Sequence, residues 1–188
     1  MPQFNFPFLT NEPLVKHTTL GIGGPADFYA EVQNTVQLIA LLQWAREKNS
    51  PVFFIGNGSN LLVSDQGLRG CVVHLRGNFE SFSVEGTHVQ AGSGILLPTL
   101  IKQCAQQGLG GAEPLVGIPG TLGGALVMNA GTPALEIGSL VEEVTVLTPD
   151  FQTEKIPASR IQFQYRFSSL FDKMIVSLIL KESWRSNV

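Results

Sequence analysis

"VFFIGNGSNLLVSD", residues 52–65, decides how the chain is read. An apolar, strand-like run stops at Gly56-Asn57-Gly58-Ser59-Asn60 and resumes as Leu61-Leu62-Val63. A chain normally leaves a buried strand through one or two turn residues, so five small or amide-bearing ones beside a core need a cause. Glycines permit positive φ and let a ligand reach the main chain without meeting a Cβ. Successive N–H groups in such a turn form a concave nest for an anion. The loop holds no Lys or Arg, so a phosphate there is held by amide dipoles, helped by Ser59 and Asn60. That arrangement suits the diphosphate of a dinucleotide. The Gly-Lys-Ser/Thr ending of a Walker loop is absent, and "GNGSNL" has the first two glycines of a Rossmann fingerprint without the third. A plain turn between strands stays open on this stretch alone.

Upstream, "ADFYAEV" alternates Phe28, Ala30 and Val32 with polar neighbours, the pattern of a strand. A helix is predicted from Asn34 or Thr35, with Val36, Ile39, Ala40, Gln43 and Trp44 on its apolar face and Asn49-Ser50-Pro51 stopping it. Val52–Ile55 then completes a strand–helix–strand unit of the kind that favours parallel neighbours. Residues 1–25 read as irregular. Downstream, "CVVHL", "FSV" and "HVQAG" read as short strands, Leu97 to Gln107 as a helix closed by Gly108, and "LVEEVTVLTP" and "MIVSLILKES" as later strands.

The most glycine-dense segment lies in the second half. "GIPGTLGGALVMNAG" sets Gly117, Gly120, Gly123, Gly124 and Gly131 around Pro119 with almost no charge. A helix is expected to start near Thr121, whose hydroxyl caps it and whose exposed N–H groups favour an anion. Glycine costs about 1 kcal/mol against Ala inside a helix. Gly123-Gly124 therefore implies a flat ring or another backbone lying against it, and close packing of two elements remains the alternative. One glycine segment in each half suggests two α+β subdomains, residues 1–75 and 76–188, facing each other across a cleft.

Composition excludes several classes. The 188 residues carry a net charge of −3 without a basic cluster, against a nucleic-acid partner. No apolar run approaches the roughly 18 residues of a membrane span, and "MPQFNFPFLTNEP" is no signal peptide. Cys71 and Cys104 lack metal-type spacing and read as reduced core thiols of a cytoplasmic protein; no metal is expected. His17, His74 and His88 share no spacing and read as structural.

"HTTLGIGG" (17–24), "GNGSNLLVSDQGLRG" (56–70), "GIPGTLGGALVMNAG" (117–131) and "FQYRFS" (163–168) stand in an order and spacing that resembles the UDP-N-acetylenolpyruvoylglucosamine reductases. The likeness runs from about residue 10 to residue 182. It implies an FAD-binding domain of the PCMH, or vanillyl-alcohol-oxidase, class, with FAD held non-covalently and NADPH as reductant. The implied substrate is a UDP-sugar carrying an enolpyruvyl group, in peptidoglycan precursor synthesis. It assigns the FAD diphosphate to Gly56, Asn57, Gly58, Ser59 and Asn60, and the inner length of the cofactor to Ile118, Pro119, Gly120, Thr121, Gly123 and Gly124. Asn129 and Tyr165 are implied to meet substrate.

Arg166 is the expected catalytic residue. Read as lying on a buried strand, it invites either a structural ion pair or a functional charge. The resemblance gives it the developing enolate of the substrate, which an always-charged fork of donors suits. The family's C-terminal substrate domain, with its serine proton donor and late glutamate, is not found in these residues, so it is expected in cis or in trans. The alternative function is a non-catalytic FAD-binding module or a subunit of a larger flavoenzyme; an oxidase of the same fold is a third.

Overall fold

The computed structural model describes residues 7–181 of a chain that divides into two compact units, Met1–Asn78 and Phe79–Val188.

The first unit is built on four strands and one long helix: β1 (Leu9–Pro13), β2 (Pro25–Val32), α1 (Thr35–Glu47), β3 (Val52–Ile55) and β4 (Leu68–Leu75). The sheet order is β1-β2-β4-β3. β2 and β3 both run parallel to β4, which is inserted between them, so the helix crosses over one strand position. β1 adds antiparallel to β2. Asn34 caps α1 by accepting from the Gln37 amide at 3.0 Å, and the Gln37 side chain accepts from Gln33 N at 2.8 Å. Asn49, at φ +51, ends the helix run two residues before Pro51.

The buried face of α1 is Leu38, Leu41, Leu42 and Ala45, not the face expected from sequence. Val36 is 77% exposed and Gln43 is exposed. Both faces satisfy the i, i+3, i+4 spacing, and the face carrying the three leucines takes the core side. Trp44 lies on the flank, its ring 4.4 Å from that of Phe8 and 5.1 Å from that of Phe28. β3 is an edge strand, with Phe53 and Phe54 both exposed in part. Leu61-Leu62-Val63 forms no strand; only Val63 is buried, and Leu62 is 77% exposed.

The second unit carries β5 (Phe82–Glu85), β6 (His88–Gly92), α2 (Leu97–Gln106), α3 (Leu122–Val127), β7 (Gly131–Thr132), β8 (Leu135–Glu136), β9 (Val141–Leu147), β10 (Thr153–Pro157), β11 (Phe163–Gln164), β12 (Phe167–Ser168) and β13 (Met174–Lys181). Its main sheet is antiparallel throughout in the order β10-β9-β13-β6-β5. The apolar run at 174–180 thus becomes the central strand. Glu182 and Ser183, which the sequence assigned to the same strand, lie outside the described residues.

Val89, Val144, Val146 and Leu178 of this sheet share one core with Leu97, Leu100 and Ile101 of α2 and Leu122 and Leu126 of α3. Each fully buried leucine contributes roughly 1.5–3 kcal/mol. Gly108, at φ +76, closes α2 as its sequence position implies. Among the described residues no helix is long and apolar enough to cross a membrane, and no group of His, Cys, Asp and Glu could hold a metal.

Candidate functional site

In the first unit the glycine loop is held from behind by residues 17–24. Thr19 N donates to Gly58 O at 3.1 Å, and Thr19 Oγ1 donates to Asn57 O over a longer 3.4 Å. That segment is itself folded back, with Thr18 Oγ1 donating to Ile22 O at 2.6 Å and accepting from Ile22 N at 3.2 Å. Gly24 N reaches Ser64 O at 2.9 Å. Gly58 is buried at φ +64, and a Cβ there would run into the His17 carbonyl and the Thr18 backbone.

A direction follows for the main-chain dipoles. In a trans peptide the N–H points opposite to the C=O, and none of the described peptides is cis. With the carbonyls of Asn57 and Gly58 turned onto Thr19, the N–H groups of Gly58 and Ser59 face away from that buttress. Asn57 and Asn60 are exposed, and Ser59 is partly so. A phosphate nest needs adjacent N–H groups on an accessible face with no cationic side chain required. These residues fit the diphosphate of a dinucleotide.

In the second unit the segment before α3 pairs with residues 93–97. Leu97 N donates to Gly120 O at 3.0 Å, Leu122 N to Ile95 O at 2.8 Å and Gly123 N to Ser93 O at 2.8 Å. Thr121 caps the helix as expected, accepting from Gly124 N at 3.3 Å. The expectation that the start of this helix offers exposed N–H groups to an anion is therefore corrected. The amides of Leu122, Gly123 and Gly124 all have partners inside the protein.

The pairing also explains the two glycines. A Cβ at Gly123 would stand 2.9 Å from Ser93 Cβ and 3.1 Å from Ser93 O, so another backbone does lie against it. Gly124 is exposed and meets only the Thr121 hydroxyl at 3.3 Å. Thr121 is buried, Ile118 and Gly120 are half-buried, and Gly117 and Pro119 are exposed. What the segment offers outward is the 117–119 backbone and the bare face of Gly124.

Arg166 does not lie on a buried strand. β11 and β12 form a hairpin in which Phe163 pairs with Ser168 and Gln164 with Phe167, so Tyr165 and Arg166 are its two turn residues. Arg166 is exposed at φ +57, and Tyr165 is 86% exposed. Tyr165 is therefore no part of the core. Phe163 and Phe167 imitate a strand pattern, but the run folds over at its midpoint.

Asn129 is placed differently from its expected substrate contact. It is 2% exposed at φ +41, and its carboxamide is engaged on all sides by the protein. Nδ2 donates to Glu136 Oε2 at 2.8 Å and to Gln164 O at 3.0 Å, while Oδ1 accepts from Gly138 N at 3.0 Å. Ser168, fully buried, donates to Val127 O at 3.0 Å.

Sequence reasoning gave no role to Thr19, although "HTTLGIGG" was singled out; the glycine spacing was the signal that a tight segment had to meet something. It also treated His17 and His74 as unrelated. His17 Nε2 lies 3.0 Å from Glu12 Oε1, its ring stacks on Tyr29, and the Tyr29 hydroxyl lies 3.0 Å from His74 Nδ1. The hydrogen bond from His17, above all, holds the Glu12 carboxyl below its ordinary range.

A family described as FAD binding domain matches residues 26–155. The UDP-N-acetylenolpyruvoylglucosamine reductase of Moorella thermoacetica is 48% identical over 162 residues, covering 86% of this chain and 53% of that protein. UDP-N-acetylenolpyruvoylglucosamine reductase 2 of Symbiobacterium thermophilum is 45% identical over 159 residues, covering 85% and 52%. Among solved structures, the UDP-N-acetylenolpyruvylglucosamine reductase (MurB) of Thermus caldophilus superposes with a TM-score of 0.80 at 37% identity, covering 92% of this chain and 61% of that one. A solvent-stable cholesterol oxidase shares the fold alone, with a TM-score of 0.69 at 17% identity over 94% of this chain and 38% of that one. The chain spans about half the length of the curated relatives it matches.

Proposed function

The chain belongs to the FAD binding domain family, and from that premise we propose that it holds FAD and serves an NADPH-dependent reductase of an enolpyruvyl UDP-sugar. The carrying observation is the turning of the Asn57 and Gly58 carbonyls onto Thr19, which aims the N–H groups of Gly58 and Ser59 away from the buttress. Those amides bind the diphosphate, with Ser59 and Asn60 beside them. In the second unit, the 117–119 backbone and Gly124 are likewise poor in side chains and are assigned to the cofactor. When bound, FAD supplies the hydride-carrying chemistry that no side chain can.

Arg166 acts on the substrate. Reduction of an enolpyruvyl double bond builds negative charge on carbon atoms conjugated to a carboxylate. A guanidinium stays charged at any working pH and offers paired donors to such an anion. Tyr165, beside it on the hairpin turn, packs against the same ligand. The proton donor and the remaining substrate contacts are assigned to the further length that the relatives carry, in cis or in trans. A nucleotide-activated sugar as substrate places the reaction in the cytoplasm.

The test is a titration of the purified chain with FAD, FMN and riboflavin, followed by NADPH oxidation with UDP-N-acetylglucosamine enolpyruvate once the further length that the relatives carry is joined in cis or added in trans. A diphosphate nest requires FAD to bind at least about tenfold more tightly than FMN. Failure to take up FAD, or no preference for it over FMN, overturns the reading. FAD uptake without substrate-driven NADPH oxidation reduces it to a flavin-holding module.

A further inference from the structure

We propose that Asn129 is the positioning residue of the Tyr165–Arg166 turn, a buried carboxamide that fixes where Arg166 is presented. The inference rests on the reading of Arg166 as the contact to an anionic substrate. Its geometry stands apart from that reading.

One short side chain joins three segments. Its amide hydrogens go to Glu136 on β8 and to the carbonyl of Gln164, the residue directly before the turn. Its oxygen takes the amide of Gly138. Gly138 has no room for a Cβ, which would stand 2.6 Å from the Phe163 ring and 2.8 Å from Asn129 Oδ1. The hairpin's other leg is tied to the same place, because Ser168 Oγ donates to Val127 O. Both legs are therefore bonded to the end of α3, two residues apart, and the turn between them is exposed.

Only Asn meets all the demands at this site. A carboxylate has no donor for Gln164 O, a leucine of similar shape has neither donor nor acceptor, and a serine is too short. Asn also tolerates the left-handed backbone found at 129. Arg166 occupies the same region at φ +57, where a long side chain is strained. Such strain persists when the surroundings over-determine the conformation, and it marks ligand clamps and active sites. The bonds at 129 and 168 are that over-determination.

The experiment compares Asn129→Asp, Asn129→Asp/Glu136→Gln and Glu136→Gln in the full chain with FAD. It reads melting temperature, amide hydrogen exchange over residues 163–170 by mass spectrometry, and turnover with the relatives' further length supplied in cis or in trans. Asn129→Asp removes both donations and sets carboxylate against carboxylate, so melting falls and hairpin exchange rises about tenfold or more. In the double variant the amide introduced at 136 donates back to the carboxylate introduced at 129. That restores one bond with its polarity exchanged and leaves Gln164 O without a donor. Melting should recover while hairpin exchange stays about tenfold fast and turnover stays low.

Glu136→Gln alone retains an acceptor for Asn129 Nδ2 and should keep hairpin exchange at the wild-type rate, which also covers the case in which Asn129→Asp fails to fold. Recovery of hairpin protection together with melting in the double variant overturns the proposal, as does a loosened hairpin in Glu136→Gln alone. The reading of Arg166 fails separately: turnover unchanged in Arg166→Gln would remove its anion contact while leaving the exchange result on Asn129 intact.

Discussion

The His17 imidazole stacks on the Tyr29 ring with centroids 4.1 Å apart and planes 24° from parallel. Tyr29 is thereby closed off on the side facing 17–24, the same segment whose Thr19 supports the glycine loop. Burial first, and the Glu31 charge second, push the Tyr29 phenol up to about 12. Burial raises the Cys71 thiol to about 12 as well.

Both groups keep their protons in the folded chain at a pH where the unfolded chain has lost them. Their stabilisation is complete below the ordinary thiol and phenol values and is lost as pH rises toward 12. Between pH 10 and 12 each proton contributes a slope of about 1.4 kcal/mol per pH unit. Tyr29→Phe should flatten the alkaline limb by one such slope in urea unfolding across that range, at the cost of the hydroxyl's contact with His74. An unchanged slope would show that Tyr29 titrates normally.

Gly58→Ala tests the loop. The alanine would need φ near +64 and would press its methyl into the backbone of His17 and Thr18. The expected loss is at least about 2 kcal/mol, with FAD uptake abolished in whatever folds. Gly21→Ala is the control, because it has the same φ of +64 but nothing within 4 Å of its Cβ. It should show the strain alone, about 1 kcal/mol, and retain FAD. Equal losses in thermal melts of the two variants would show that the close approach of residues 17–18 carries no cost.

The sequence was most legible where one physical demand dominated. Apolar runs bounded by turn residues gave β3, β4 and β13, and the Asn34 cap and the Gly108 stop gave the two longer helices. It was illegible at edges. β1, "LTNEP", and β10, "TEKIP", are polar strands with one neighbour each, so neither shows the alternation of a half-buried strand. At Tyr165-Arg166 nothing marks a turn, because no Gly or Asn supplies the positive φ that Arg166 adopts. The glycines at 123 and 124 were seen as special, but the sequence could not say that Ser93 was the backbone against the first.

Gly123→Ala and Gly124→Ala should therefore part company, although sequence treats them as a pair. The methyl at 123 meets Ser93 Cβ and the carbonyl that accepts the Gly123 amide, so overpacking of about 1–3 kcal/mol is expected. At 124 the methyl meets only a hydroxyl at 3.3 Å, and the gain in helix propensity, up to about 1 kcal/mol, offsets it. Thermal melts should show a clear fall for the first and little change for the second. FAD titration of Gly124→Ala then reads the exposed face alone: weakened uptake with unaltered melting supports a cofactor lying against it, and unchanged uptake excludes that contact.

Arg166→Gly sets fold against function at a single position. Glycine adopts φ +57 freely, whereas an L side chain there costs about 1 kcal/mol. Arg166 is exposed on a two-residue turn, so a polar contact of its side chain is a surface one, worth about 1 kcal/mol or less. The variant should melt at the wild-type temperature or slightly above. If the guanidinium stabilises charge that develops on substrate, turnover should nevertheless fall about a hundredfold or more. Arg166→Lys keeps the charge and loses the planar fork, so it should sit between the two in turnover while the strain remains. A protein that needs this arginine for its fold would do the opposite, with Arg166→Gly losing more than about 1 kcal/mol and Arg166→Lys partly restoring it. The sign of the stability change in the glycine variant thus decides whether the left-handed arginine serves the fold, and the loss of turnover decides whether it serves a ligand.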